Sequence, residues 1–257
     1  LADFTATPVA ERRLYLGMVG VAIAVASALS RTRTASRSSV APLAMAALLA
    51  ILTAMTITRN AHWRDEITLW STVTEGLDSE ALPYLNLGLA LADGGRKAEA
   101  EAAYRRGLTL GPKDGDRQRL SINLGLLVVE QGKLDEAEAL FTTANQVGGH
   151  AIAYRGLALV GQKRARAAAH AGDAPRASAE LTRALANADR AVAINSRYYQ
   201  GYATQGAVLY DGGRYRDALA SYQRAAALAP ADSAGGRQVR TAVQELSTWL
   251  AAHPEAR

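Results

Sequence analysis

Asn86 and Asn123 are the side chains in this sequence with the clearest chemistry for a ligand, and each stands directly before a Leu-Gly pair, Leu87-Gly88 and Leu124-Gly125. A primary amide donates and accepts at once, so amides repeated along one surface can hold an extended peptide backbone whatever its side chains. The next equivalent positions are Gly156 and Thr204, which breaks the row. Asparagine also serves purely structural roles at such a place, and on the residues alone both readings stay open. Leu85, Leu89, Arg119, Ile122, Leu126, Arg155, Gln162 and Tyr210 complete a candidate peptide-binding surface, apolar in its first half and polar in its second.

Other chemistries find little to stand on. The chain has no cysteine, and its four histidines, His62, His150, His170 and His253, are scattered without ligand spacing, so no metal or disulfide is expected. Gly94-Gly95-Arg96-Lys97 and Gly132-Lys133 lack the spacing of a phosphate loop. With no nucleophile-base pair either, no catalytic residue and no cofactor are expected within these residues. The net charge of +5 is unevenly placed: residues 1–59 hold six arginines against Asp3 and Glu11, while the rest is close to neutral. A nucleic-acid surface would need a basic stripe with interleaved aromatics, so no nucleic-acid partner is expected.

The elements that position the asparagines follow from a repeat. Tyr84, Leu87, Gly88, Leu91, Gly95, Ala100, Tyr104, Gly107 and Pro112 return as Tyr202, Gly206, Leu209, Gly213, Ala218, Tyr222, Ala225 and Pro230. Leu124, Gly125, Val128, Gly132, Ala137, Phe141 and Ala144 supply a copy between them. Such a signature predicts helical hairpins that stack and bind partners rather than carry chemistry. Gly88, Gly125 and Gly206 are expected to face Ala100, Ala137 and Ala218 across each hairpin, with Tyr104, Phe141 and Tyr222 packing toward the next one. Gly95, Gly132 and Gly213 suit a positive-φ turn, and Pro112 and Pro230 stop the second helices.

These letters resemble the tetratricopeptide repeat family, over roughly residues 60–252. The resemblance implies an all-α, tetratricopeptide-type hairpin solenoid whose first helices line a concave face. Trp70, Val73 and Asp78 precede Tyr104, Gly107 and Pro112 by one repeat of about 34 residues, so a half repeat is expected at 65–78. Full repeats are expected at 81–114, 118–150, 151–198 and 199–232. Val239, Val243, Leu246 and Leu250 form one apolar stripe, predicting a capping helix at 235–252. In the copy at 151–198, Gly172 and Ala184 come seven and fourteen residues late, which lengthens each helix by about two turns. Asp173 and Pro175 would open its second helix, and Lys163, Arg164, Arg166 and His170 would make the protrusion basic, as a solvated face or as a binding knob. The asparagines in the groove resemble the asparagine ladder of O-linked N-acetylglucosamine transferase.

Ahead of the repeats, residues 14–30 and 40–58 contain no charge, and each approaches the roughly 17–25 residues of a membrane span. Two transmembrane helices are therefore expected in a membrane region at 1–59, before a repeat region at 60–257. Arg12-Arg13, the apolar run and Ala26-Ser27-Ala28 also imitate a secretory signal, against which the second run speaks. Arg31, Arg33 and Arg37 favour a cytoplasmic loop, which puts the repeats on the extracytoplasmic side of the bilayer.

The stretch Ala10-Glu11-Arg12-Arg13-Leu14-Tyr15-Leu16, with the junction from Arg59-Asn60 through Trp63, Asp65-Glu66 and Leu69-Trp70, resembles the transmembrane and tetratricopeptide-containing O-mannosyltransferases and their bacterial relatives. Gly17 and Met18 stand where that family usually has a proline and a serine. The resemblance implies that the chain is the C-terminal part of a longer multi-pass glycosyltransferase that uses polyprenyl-phosphate sugars. The family's catalytic carboxylate has no counterpart here, so this part would present an acceptor. Arg12 would contact the donor phosphate, or anchor the helix at the membrane surface. The expected function is a membrane-anchored module that binds a protein or peptide in its concave groove, with two alternatives: the tail of a glycosyltransferase, or an assembly subunit of a membrane complex.

Overall fold

The computed structural model describes residue 47 and residues 49–52, 65–146 and 148–255. The chain divides into two units, Leu1–Ala61 and His62–Arg257. In the first, residue 47 and residues 49–52 are helical. The rest of the expected spans, and Arg12, lie outside the described residues. Among the described residues no helix is long and apolar enough to cross a membrane.

The second unit is a succession of helices: α1 (Glu66–Gly76), α2 (Ala81–Asp93), α3 (Lys97–Thr109), α4 (Asp114–Glu130), α5 (Leu134–Gln146), α6 (Ala151–His170), α7 (Ala174–Ile194), α8 (Tyr199–Asp211), α9 (Tyr215–Leu228) and α10 (Ala234–Ala252). The pairs α2/α3, α4/α5, α6/α7 and α8/α9 are antiparallel hairpins, and each second helix also packs on the next first helix. First helices touch one another as well, α2 on α4, α4 on α6 and α6 on α8. Successive second helices make no comparable contact among the described residues.

All four hairpin turns are one motif. The amides of Arg96, Lys133, Asp173 and Arg214 donate to the carbonyls of Leu91, Val128, Ala168 and Leu209, at 2.8–3.0 Å. The preceding glycines, Gly95, Gly132, Gly172 and Gly213, sit at φ of 73–79° and donate to Ala92, Val129, Ala169 and Tyr210. This is the Schellman arrangement, which satisfies helix-end carbonyls only if the penultimate residue is left-handed. Gly132→Ala is expected to cost about 1 kcal/mol, read from the urea midpoint, since nothing near it is crowded and only the backbone objects.

Two apolar clusters run through the stack. The larger joins α2 to α6 around Leu85, Tyr104, Leu120, Val128 and Phe141, and the smaller joins Leu209 and Ala218 to Leu246 of α10. Between them α6 and α7, of 20 and 21 residues, are held by buried alanines: Ala153, Ala158, Ala165 and Ala168 on one side, Ala177, Ala184, Ala188 and Ala191 on the other. A Cβ added to Gly161 would lie 3.0 Å from that of Ala184, so small side chains bring these backbones close. Asp173 caps α7 by accepting from the Arg176 amide at 3.0 Å, and Pro175 follows in the first turn. Asp173→Ala should lower stability by about 1 kcal/mol, measurable as a shift in Tm.

In the ordinary hairpins an aromatic ring crowds the small residues most closely. Cβ atoms added to Gly88, Gly125 and Gly206 would strike the rings of Tyr104, Phe141 and Tyr222, while Ala100, Ala137 and Ala218, one helical turn before those rings, are fully buried. Phe141 reaches further and fills the space over Gly156 of the next hairpin. Glycine here makes room for a ring, and the ring bridges hairpins.

Candidate functional site

The first-helix layer carries the candidate residues, and helix phase sorts them. Successive helix positions point about 100° apart, so Asn86 and Leu85 cannot share a face. Leu85 and Ile122 are buried in the core, which corrects their assignment to the groove. Their neighbours Asn86 and Asn123 are half-buried, as are Leu89 and Leu126, and Arg119 is exposed. Leu159 stands where Leu89 and Leu126 stand in the preceding copies and is also half-buried. Three leucines therefore run across α2, α4 and α6, a row whose third member the sequence reading missed although the register predicts it.

Asn123 donates one amide hydrogen to the Arg119 carbonyl at 2.9 Å. Its second N–H and its carbonyl remain for a ligand. In the next hairpin Arg155 takes the register position of Leu85 and Ile122. Its Nε donates to the Thr204 hydroxyl at 3.2 Å. Thr204 is buried and holds the same register as Asn86 and Asn123.

Gln162 is a strut and not a contact surface, which corrects its assignment: it is buried and donates to Asp211 Oδ2 at 2.8 Å. Arg166 donates to both oxygens of the same carboxylate. Together they tie the long hairpin to the end of α8. Tyr210 is exposed and meets Tyr215 edge-on, and Tyr215 leads through Trp249 to His253, with centroids 4.5–5.3 Å apart. That ring chain fastens α10 to the last turn.

Two of the four basic residues of the long hairpin are paired with carboxylates. Arg164 pairs with Asp135 and Glu138 of α5, and Arg166 with Asp211. Local sequence could not reveal this, because the carboxylates come from neighbouring hairpins. On the outer side Glu101 is hydrogen-bonded by Gln131, Arg105 and Lys133, at 2.6, 2.7 and 3.2 Å. Donation from Gln131 first, then from Arg105, holds its carboxyl down to about 2, against an ordinary value of 4.5. A depressed carboxylate stabilises the fold above the ordinary value and loses that contribution as pH falls through the lower one. Stability should therefore decline by about 1 kcal/mol between roughly pH 4.5 and 2 on this account, and Glu101→Gln should flatten that part of a pH series of urea midpoints.

A second regularity escaped the sequence reading. Arg106, Arg190 and Arg224 lie over the rings of Tyr84, Tyr154 and Tyr202, 5.7–6.0 Å from the centroids. The pairs sit 22 residues apart in two hairpins and 36 in the lengthened one, so the spacing itself was the available signal. Among the described residues no three histidine, aspartate or glutamate side chains gather as a metal site.

Residues 82–114 match the tetratricopeptide repeat family. The chain is similar to the protein O-mannosyl-transferase Tmtc2 of Drosophila melanogaster, 33% identical over 110 residues, which is 42% of this chain and 12% of that relative. It thus spans a small fraction of the relative's length. Its fold is similar to the crystal structure of a thermophilic tetratricopeptide repeat protein of Thermus thermophilus, with TM-score 0.52, 18% identity, and coverage of 76% of this chain and 96% of that one. It is also similar to the human IFIT1 dimer with m7Gppp-AAAA, with TM-score 0.55, 15% identity, and coverage of 69% and 38%. One segment thus matches a tetratricopeptide repeat, the described repeat unit has the all-helical fold of such proteins, and part of the sequence is similar to an O-mannosyl-transferase.

Proposed function

We propose that the repeats bind an extended peptide segment of a partner protein along the layer of α2, α4, α6 and α8. The observation that carries this is the partly buried row Leu89, Leu126 and Leu159 beside the Asn86 and Asn123 amides, apolar contact next to groups able to pair with a backbone. Leucines fit alternate side chains of an extended strand, while the amides pair with its backbone. Selecting a displayed random decapeptide library on the immobilised full chain supplies a probe. Asn86→Ala with Asn123→Ala should weaken the selected peptide about tenfold in fluorescence anisotropy. An unchanged affinity in the double variant would refute the role of the amides.

The module belongs, in this reading, to a membrane protein of glycosyltransferase type, with spans at 14–30 and 40–58 and the repeats on the extracytoplasmic side. The uncharged runs and the similarity to a protein O-mannosyl-transferase support it. The repeats would then present the acceptor, and Arg12 would meet the phosphate of a lipid-linked sugar. The absence of cysteine makes topology directly measurable. Ser178→Cys should react with a membrane-impermeant maleimide in intact cells, and Ser38→Cys only after permeabilisation. The reverse pattern would place the repeats in the cytoplasm.

A further inference from the structure

Arg155 is out of character with its register. The same position is a buried leucine in α2, a buried isoleucine in α4 and an alanine, Ala203, in α8. A guanidinium needs its charge compensated when water is partly withdrawn from it. Arg96, Arg105, Arg117, Arg164, Arg166 and Arg214 each have a carboxylate from their own chain. Arg155 has none among the described residues; the hydroxyl of Thr204 accepts from it. That neutral oxygen fixes the fork's direction and leaves its charge unanswered. One of its five N–H donors is thereby engaged, and the residue is partly exposed.

The setting supplies a direction for a ligand. Arg119, on the same layer of the preceding first helix, is exposed and also has no ion pair among the described residues. Two uncompensated cations on one layer attract an anion before contact. The leucine row lies on α2, α4 and α6, so an extended chain following it reaches Arg155 in its second half.

We infer that the bound segment is acidic as well as apolar, with an Asp or Glu side chain seated on the Arg155 guanidinium next to the Thr204 rung. The inference rests on the peptide-binding reading and adds the partner's chemistry to it. A carboxylate matches the planar fork bidentately, and a lysine at the same place would supply charge without that geometry. Specificity then comes from one charge position, whereas the amides hold any sequence.

The test uses the full chain and the displayed decapeptide library. Selected peptides should be enriched in Leu, Ile or Val and should carry an Asp or Glu at a fixed distance from them. Changing that Asp or Glu in the peptide to its amide should weaken binding to the unaltered protein about ten- to thirtyfold. The tight peptide should lose affinity with added salt, and the amide peptide should not. Arg155→Gln should bring both peptides to the same affinity with Tm within a few degrees of the parent, and Arg155→Lys should recover part of the difference. Selected peptides without an acidic position, or equal binding of the acid and amide peptides, would overturn the inference while leaving peptide binding intact. Failure to select any peptide, with no dependence on Leu89 or Leu126, would overturn the peptide-binding reading itself. The peptide substitution leaves the protein untouched, so the outcome does not depend on how well any variant folds.

Discussion

Phe141→Ala is expected to destabilise the repeat unit by about 3–5 kcal/mol, the largest single effect in the molecule. The ring is fully buried, and it closes the space over Gly125 in its own hairpin and over Gly156 in the next. Removing it leaves a cavity that glycine on both sides cannot fill. Because each hairpin contacts mainly its neighbours, the loss falls on one junction, between α4/α5 and α6/α7. Unfolding should therefore separate into two steps. Trp70 in α1 and Trp249 in α10 report from opposite ends of the stack, so single-tryptophan versions, with the other tryptophans changed to phenylalanine, resolve them. Coincident transitions at the two ends, with a loss below about 1 kcal/mol, would contradict the bridging role of this ring.

Gly156→Ala is the converse experiment, and two effects oppose each other in it. In an open helix the change gains about 1 kcal/mol. Here the new Cβ would fall within the Phe141 ring, and the ring cannot retreat, since a Cβ at Gly125 would already be only 2.7 Å from its edge. Overpacking of a rigid, enclosed ring costs about 1–3 kcal/mol and at times more, so the net result should be a loss of about 2 kcal/mol. Gly115, in the first turn of α4, has nothing within 4 Å of its added Cβ and provides the control. Gly115→Ala should be neutral or slightly stabilising in the same urea titration. If both variants behaved alike, the clash at Gly156 would have to be abandoned as the reason for its glycine.

These two predictions also mark what the sequence conveyed and what it withheld. The glycines of the turns were readable because a left-handed residue has few substitutes, and Gly95, Gly132 and Gly213 all adopt that conformation. The glycines inside the helices were readable as close approaches, yet the ring that crowds each one most closely was not. A repeat pattern reveals that a position must be small without revealing which neighbour requires it. Arg164 and Arg166 show the same limit for charge: Asp135, Glu138 and Asp211 are distant in sequence and adjacent in space. In the groove, Leu85 and Ile122 were placed on the wrong side by a single helix step, while Asn86 and Asn123, in successive hairpins, kept a common phase.

The same register logic gives Arg155 its meaning. A position that is apolar in two copies and cationic in the third signals a local change of task, because a guanidinium cannot simply replace a core side chain. Thr204 orients it, and the carboxylate that would complete it belongs, in the proposal above, to the partner. Gln162, Arg166 and Asp211 sit on the same two helices as a closed set of donors and acceptor, which shows how this chain satisfies a charge when no partner is required.

Methyl-resolved NMR of the leucine-labelled full chain, titrated with a peptide selected from the decapeptide library, tests the central claim most directly. The account predicts that the methyl signals of Leu89, Leu126 and Leu159 on the first helices move together and saturate at one peptide per chain, while those of Leu140 in α5 and Leu181 in α7 stay in place. Shifts confined to leucines of the second helices would contradict it.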